Sequence, residues 1–171
     1  EIQKINKGVN HTVKKNELQE IAIEQLQSRG VTLEDIAQLV LELQKEYLSD
    51  LTEEECITNL EYVLKKREVS HAVLTGIALD ELAEKKLLPQ PLQSIVESDD
   101  GLYGIDEVIP LSIVNVYGTI GLTNFGYLDK KKIGIIKALD EGKKNGVNTF
   151  LDDIVAGLAS AAASRIAHSR E

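Results

Sequence analysis

The sequence has very few of the residues that build disulfide frameworks, cysteine metal sites or aromatic cores. Cys56 is the only cysteine, tryptophan and methionine do not occur, and aromatic residues make up 4% of the chain. A single cysteine excludes an internal disulfide and a cysteine-based metal motif, and it is typical of a protein from a reducing cytosol. Hydrophobic residues make up 43% of the chain. Because so few of them are aromatic, the core must consist mainly of leucine, isoleucine, valine and alanine.

Basic residues are also in short supply. The 171 residues include 28 Asp and Glu against 19 Lys and Arg, which gives a formal net charge of −9. An acidic surface repels phosphate backbones, so we expect no nucleic-acid partner. It also repels an anionic lipid surface, unless a local basic patch or a bound divalent cation intervenes. The chain shows no signal peptide, no P-loop, no glycine-rich dinucleotide motif and no Ser-His-Asp order. We therefore expect a cytoplasmic location.

Apolar residues recur at steps of three and four along most of the chain, and this period predicts helices. Two helix starts carry a threonine followed three residues later by an acid, namely Thr32 with Asp35 and Thr52 with Glu55. No segment has the alternating pattern of a strand. We predict an all-α fold with a single domain, in which residues 1–66 form N-terminal helices and residues 67–171 form a catalytic core.

The segment Val108–Leu128 contains no charged residue over 21 positions. That length would span a bilayer, but Pro110, Gly118 and Gly121 interrupt it. A helix that is apolar on all sides must be surrounded. We therefore predict a central apolar helix packed by the other helices, with Val108 to about Val116 among the least exposed residues. A membrane-inserted segment is the alternative, and purification without detergent would argue against it.

The last predicted helix runs from Thr149 to about His168 and is rich in alanine, glycine and serine. Small side chains on several faces allow neighbouring helices to approach closely. Thr149 precedes Asp152 by three residues, so this pair fits a capping box at the start of the helix.

Acidic residues stand at the ends of the apolar segments. Asp106 and Glu107 precede Val108, Asp129 follows Leu128, and a pair of aspartates opens the last helix. These acids have two interpretations. Acids are favoured in the first turn of any helix, where they cap and solubilise it. They are also the hard oxygen ligands that Mg²⁺ prefers, together with water and substrate phosphate.

Three short motifs around these acids occur in the order seen in phosphatidylglycerophosphatase A. They are Gly104-Ile-Asp-Glu-Val108, Tyr127-Leu-Asp-Lys130 and Asp152-Asp-Ile-Val-Ala-Gly157, the last being the most specific because six consecutive residues match. The chain resembles this family over roughly residues 100–165. It lacks the several membrane helices and the N-terminal Pro-Gly-Thr stretch of those enzymes, so it resembles a soluble branch.

The resemblance implies a Mg²⁺-dependent phosphatase that converts phosphatidylglycerophosphate to phosphatidylglycerol and phosphate. Asp106, or Asp80 on the long middle helix, is predicted to be the general base. Lys130 and Lys131 follow Asp129 in a run of three lysines, and we predict that they bind substrate phosphate. The predicted Mg²⁺ ligands are the acids that flank the apolar segments: Glu107, Asp129, Asp152 and Asp153.

Two other functions stay open at this point. One is a soluble phosphatase that acts on a small phosphate ester instead of a phospholipid. The other is a non-enzymatic helical oligomer or binding module, in which the acids are only helix caps. Peripheral membrane contact and homo-oligomer formation also stay open, because the sequence fixes neither.

Overall fold

The chain is almost entirely helical in the computed structural model, which describes residues 15–142 and 146–170. Helix accounts for 77% of the described residues, and no strand occurs among them. The predicted all-α class and the single compact domain are therefore confirmed.

The described residues form the following helices in chain order: α1 Lys15–Ser28, α2 Leu33–Gln44, α3 Glu53–Leu64, α4 Arg67–Glu84, α5 Leu92–Ser98, α6 Ile105–Val114, α7 Gly118–Lys131, α8 Gly134–Glu141 and α9 Leu151–Ser169. A short 3-10 turn, Asn115–Tyr117, separates α6 from α7.

Local capping explains where α2 and α3 begin. The Thr32 side chain accepts a hydrogen bond from the Asp35 amide, and the Asp35 carboxylate accepts one from the Thr32 amide. The Thr52 hydroxyl accepts a bond from the Glu55 amide in the same way. Both predicted helix starts are confirmed, because each cap satisfies backbone amides that have no partner within the helix.

The central helix of the domain is α9. Every residue from Leu151 to Ser164 is buried, and the helix contacts α2, α3, α4, α6, α7 and α8. Its alanines, glycine and serines make it thin, so that other helices can pack on all of its sides. The Ser164 hydroxyl adds a hydrogen bond to the Tyr117 carbonyl, which ties α9 to the 3-10 turn.

The structure has a central apolar helix, as predicted, but that helix is α9, and the uncharged run in which we expected it is only partly buried. Val108 is 54% exposed and Val116 is 42% exposed. The uncharged run breaks at Gly118, whose φ of +71° favours glycine, and it forms two helices instead of one. By length and mean hydropathy (1.3), Ile105–Lys131 is a candidate to cross a membrane, yet only 28% of its most apolar stretch is buried. A segment without charged residues need not be buried, because much of the surface of a folded protein is apolar.

Gly157 allows α9 and α6 to approach closely. A Cβ atom added to Gly157 would lie 2.9 Å from Pro110 Cβ and 3.4 Å from Pro110 Cα. A proline ring cannot swing away as a flexible side chain does, so a larger residue here must push the two helices apart. The glycine that ends the most specific family motif therefore has a packing role.

We predict that Gly157→Ala destabilises the protein by roughly 1–3 kcal/mol, since it overpacks the contact with Pro110. The matched control is Gly126→Ala in α7, where no atom lies within 4 Å of the added Cβ. That control should stabilise the helix by up to about 1 kcal/mol. Urea unfolding followed by circular dichroism measures both changes. Equal effects of the two substitutions would contradict the role given to Gly157.

Candidate functional site

Asp80 of α4 caps the amino end of α9. The Asp80 carboxylate accepts hydrogen bonds from the amide of Phe150 (3.1 and 3.2 Å) and from the amide of Leu151 (3.0 Å). Thr149 does not cap the helix, contrary to prediction, because its hydroxyl donates to the Val96 carbonyl instead. The cap of α9 is therefore Asp80 from another helix, and not Thr149, which the sequence pattern predicted.

This geometry favours a structural task for Asp80 over the predicted role of general base. Asp80 is fully buried, and its oxygens are used by the two backbone amides. Burial raises the pKa of Asp80 to about 8, while the amides of Phe150 and Leu151 oppose that rise. A substrate could reach this carboxylate only after α9 had lost its cap.

Arg29 of α1 fixes the chain that leads into α9. Its Nη2 atom donates to Glu84 (2.6 Å), to the Val147 carbonyl (2.7 Å) and to Asn148 Oδ1 (3.1 Å). Glu84 also accepts a hydrogen bond from the Val147 amide. Together with Asp80, these contacts determine where the first turn of α9 lies.

Three carboxylates meet around the ammonium group of Lys132. Lys132 Nζ lies 2.7 Å from Asp152 Oδ2, 3.4 Å from Asp129 Oδ1 and 3.9 Å from Asp153 Oδ1. We call Asp129, Lys132, Asp152 and Asp153 the carboxylate cluster. It forms because the carboxyl end of α7 lies beside the amino end of α9. Acids that are far apart in the sequence are thereby brought to one place.

Burial governs the charges in this cluster. Asp152 and Asp153 are both buried, and Asp153 Oδ1 has no hydrogen-bond partner. Burial, followed by repulsion from Asp152, raises the pKa of Asp153 to about 8, although Lys132 opposes the rise. Burial also raises the pKa of Asp152 above its usual range, against the hydrogen bond from Lys132. Burial by itself would lower the pKa of Lys132, but the hydrogen bond to Asp152 and the charges of the neighbouring carboxylates together raise it, so this lysine stays charged.

The other predicted site residues lie around the cluster or outside it. Asp106, half-buried at the start of α6, is close enough for its charge to raise the pKa of Asp153. Glu107 is exposed, and its backbone amide donates to the Asp106 carboxylate. Lys130 and Lys131 are also exposed. The structure thus brings Asp129, Asp152 and Asp153 together, with Asp106 nearby, and leaves Glu107 on the surface.

The carboxylate cluster fits a divalent cation in the chemistry of its donors. Carboxylate oxygens are the ligands that Mg²⁺ prefers. The buried Asp153 Oδ1 has no hydrogen-bond partner and is therefore available as such a ligand. Among the described residues, no three Asp, Glu, His or Cys side chains are placed to share one metal ion. Asp129, Asp152 and Asp153 are spaced around an ammonium group instead. The donor set fits, and Lys132 is the side chain that would have to move.

The acids of the cluster were predicted from the sequence, whereas the ion pairs of Lys132 were not. Lys132 belongs to the run of three lysines, of which the two exposed members were predicted to bind substrate phosphate. The available signal was the spacing, since Lys132 lies three residues after Asp129 and such pairs are neighbours on a helix. Its contacts with α9 are set by the fold and could not have been read from that spacing.

A cavity elsewhere in the protein does not compete as a phosphate site. It has a volume of about 530 Å³ and a mostly apolar lining that includes Leu43, Ile120 and Ala167. Ala167 lies fourteen residues after Asp153 on α9, which corresponds to about 21 Å along the helix. The cavity is therefore at the opposite end of α9 from the carboxylate cluster.

The chain is similar in sequence to one known protein family. A family model for phosphatidylglycerophosphatase A matches residues 22–168. The uncharacterized protein YpjQ of Bacillus subtilis is 65% identical over 156 residues, which cover 91% of this chain and 88% of YpjQ. The uncharacterized protein YutG of the same organism is 55% identical over 143 residues, covering 84% of this chain and 86% of YutG.

Solved structures show the same fold. The crystal structure of YpjQ has a TM-score of 0.89 at 64% identity and covers 92% of this chain and 97% of that one. The crystal structure of the low temperature requirement C protein from Listeria monocytogenes has a TM-score of 0.88 at 56% identity, covering 92% of this chain and 99% of that one.

We predict that the metal-free protein loses stability between about pH 4 and pH 8 through Asp153. Its carboxyl binds a proton more tightly in the folded state, with a pKa of about 8, than in the unfolded chain. The stabilising contribution is complete below about pH 4 and is lost as the pH rises through about 8. Asp153→Asn should remove the part of the pH dependence that comes from Asp153, making the profile shallower, and gain roughly 1–3 kcal/mol over wild type at pH 8.

Thermal unfolding in a chelator at pH 5 and pH 8 tests this prediction. Asp100→Asn is the matched control, because Asp100 is exposed and the amide oxygen can still accept the hydrogen bond from Leu102. Parallel pH profiles for wild type and Asp153→Asn would show that the buried carboxyl does not titrate in this range.

Proposed function

The chain belongs to the phosphatidylglycerophosphatase A family, and on that premise we propose that it is a Mg²⁺-dependent phosphatase that hydrolyses phosphatidylglycerophosphate to phosphatidylglycerol and phosphate. The observation that carries the proposal is the carboxylate cluster, where Asp129, Asp152 and Asp153 surround the ammonium group of Lys132. Family membership supports a phosphatase in general terms. The metal and the substrate are the parts that we propose.

Asp129, Asp152 and Asp153 would hold the divalent cation, since they supply the oxygen donors and would close around it once Lys132 had moved away. When bound there, Mg²⁺ supplies neutralisation of the phosphoryl oxygens and a site for water. Asp80 and Arg29 keep the first turn of α9 in place, so that the two aspartates keep their positions. Such a site would lower the activation free energy mainly because its charges are already fixed where charge develops in the transition state.

Asp106 is the better placed of the two predicted general bases. It is half-buried beside the cluster, and burial raises its pKa above the usual range of an aspartate. A carboxylate with a raised pKa takes a proton from water more readily. The exposed ammonium groups of Lys130 and Lys131 would attract the phosphate of the substrate as point charges.

An apolar surface beside Asp106 favours a phospholipid over a small phosphate ester. Leu102 is 96% exposed, and Ile105 and Val108 are about half exposed on α6. A lipid phosphate at the cluster would have this surface available for its acyl chains. Burial of such residues against lipid would give peripheral membrane contact, which this proposal includes. The small-ester phosphatase is the second candidate, since the net charge of −9 disfavours an anionic surface.

A panel of phosphate esters tests the proposal directly. We expect Mg²⁺-dependent phosphate release from phosphatidylglycerophosphate in mixed micelles, and little from water-soluble esters. Asp129→Asn keeps the side-chain size but removes one anionic donor, so activity should fall by about 10- to 100-fold. Circular dichroism checks that the variant stays folded. Release from soluble esters alone would favour the second candidate, and no hydrolysis together with no Mg²⁺ binding would favour a binding module.

The apolar surface has its own test. Leu102→Gln and Val108→Gln should raise the KM for micellar lipid several-fold and leave hydrolysis of any soluble ester unchanged, because both residues are exposed and neither belongs to the cluster. Tyr47→Gln is the matched control, since Tyr47 is 78% exposed but lines the cavity at the opposite end of α9. An unchanged KM in both surface variants would remove the argument for a lipid substrate.

A further inference from the structure

Lys132 occupies the position from which a single cation can contact all three acids of the carboxylate cluster. Its ammonium group donates a hydrogen bond to Asp152 Oδ2 at 2.7 Å and is within ion-pair distance of Asp129 and Asp153. Asp153 Oδ1, at 3.9 Å, makes no hydrogen bond. One ammonium group therefore faces three carboxyl groups, two of which are buried.

The backbone at Lys132 is not one that favours lysine. Its φ of +46° lies in the left-handed region, which glycine adopts at lower cost, and its amide closes α7 on the Leu128 carbonyl. The chain then continues in an extended conformation at Ile133 into α8. A residue chosen for this turn alone would be glycine or asparagine. The observed ion pairs show what the lysine side chain adds.

We propose that Lys132 is a built-in counter-cation that competes with the divalent metal for the same carboxylate oxygens. In the metal-free protein, its ammonium group holds the three acids together against their mutual repulsion. A divalent cation can bind these acids only by displacing that group into solvent, towards which the half-buried lysine side chain already opens. Lys132 thus stabilises the metal-free fold and lowers the metal affinity of the site. The inference rests on the proposed function, because it concerns the same metal.

Metal affinity and metal-free stability test this inference without an activity assay. The variant is Lys132→Met, which keeps an unbranched side chain of similar length and removes the charge. The protein is stripped with a chelator, dialysed, and titrated with MgCl₂ in a calorimeter. Its metal-free thermal midpoint is measured alongside. We expect Mg²⁺ affinity to rise about tenfold or more, the metal-free midpoint to fall, and added Mg²⁺ to raise the midpoint further in the variant than in wild type.

Two further variants separate competition from simpler effects. Lys132→Arg keeps the positive charge and should retain the weaker Mg²⁺ affinity of wild type. Lys137→Met removes one charge from the exposed surface of α8, where Lys137 faces Glu141, and should change the affinity little. If Lys137→Met tightens binding as much as Lys132→Met, net charge is the cause and the proposal fails. If Lys132→Met is unfolded without metal, Mg²⁺-induced folding followed by circular dichroism measures the same affinity.

The outcomes distinguish this inference from the proposed function. If wild type binds Mg²⁺ and hydrolyses phosphate esters, but Lys132→Met binds no more tightly, only the counter-cation role is overturned. If Lys132→Met binds Mg²⁺ strongly while wild type binds it weakly, the competition is supported even without hydrolysis. If no variant binds a divalent cation, both proposals fail.

Discussion

The hydrogen bonds from the amides of Phe150 and Leu151 to Asp80 are the interaction on which the rest of the structure depends. The amino end of a helix has amides without intrahelical partners, and leaving them unpaired in a buried place is costly. Here the helix end is buried because α9 is the centre of the domain. Asp80 satisfies two of these amides from 70 and 71 residues away. The position of α9 is therefore decided by α4, with Arg29 of α1 holding the preceding chain.

The candidate site follows from the same burial. Because the first turn of α9 is enclosed, Asp152 and Asp153 are enclosed with it. Buried carboxylates that repel one another lower the stability of the fold, and such arrangements are concentrated at functional sites. Lys132 supplies partial compensation from the end of α7. The carboxylate cluster is thus a place where the fold has gathered three carboxyl groups around one ammonium group, and their oxygens are the donors that another cation would use.

The exterior of the domain contributes in a different way. The uncharged residues of α6 and α7 are buried on one side only and exposed on the other, while the small residues of α9 fill the centre. Close packing explains this arrangement, since Gly157 admits Pro110 at a distance that a larger residue would not allow. The exposed apolar residues of α6 begin beside Asp106. An apolar surface and an acidic cluster next to each other match the two parts of a lipid phosphate.

Features that depend on neighbours in the sequence were determined by the sequence itself. The three- and four-residue periods gave the helices, Thr32 and Thr52 gave two helix starts, and the Asp152–Gly157 motif led to the family. Each of these rests on contacts within one or two turns of a helix, so a short stretch of residues suffices.

The tertiary structure decided everything that depends on which helices meet. It made α9 the central helix instead of the uncharged run. Small side chains allow other helices to pack closely on every side of α9, whereas a helix without charged residues can be buried but need not be. The tertiary structure also gave the capping task to Asp80 instead of Thr149, and it placed Lys132 among acids from two helices. These contacts join residues 20 to 71 positions apart, and no local pattern encodes such distances.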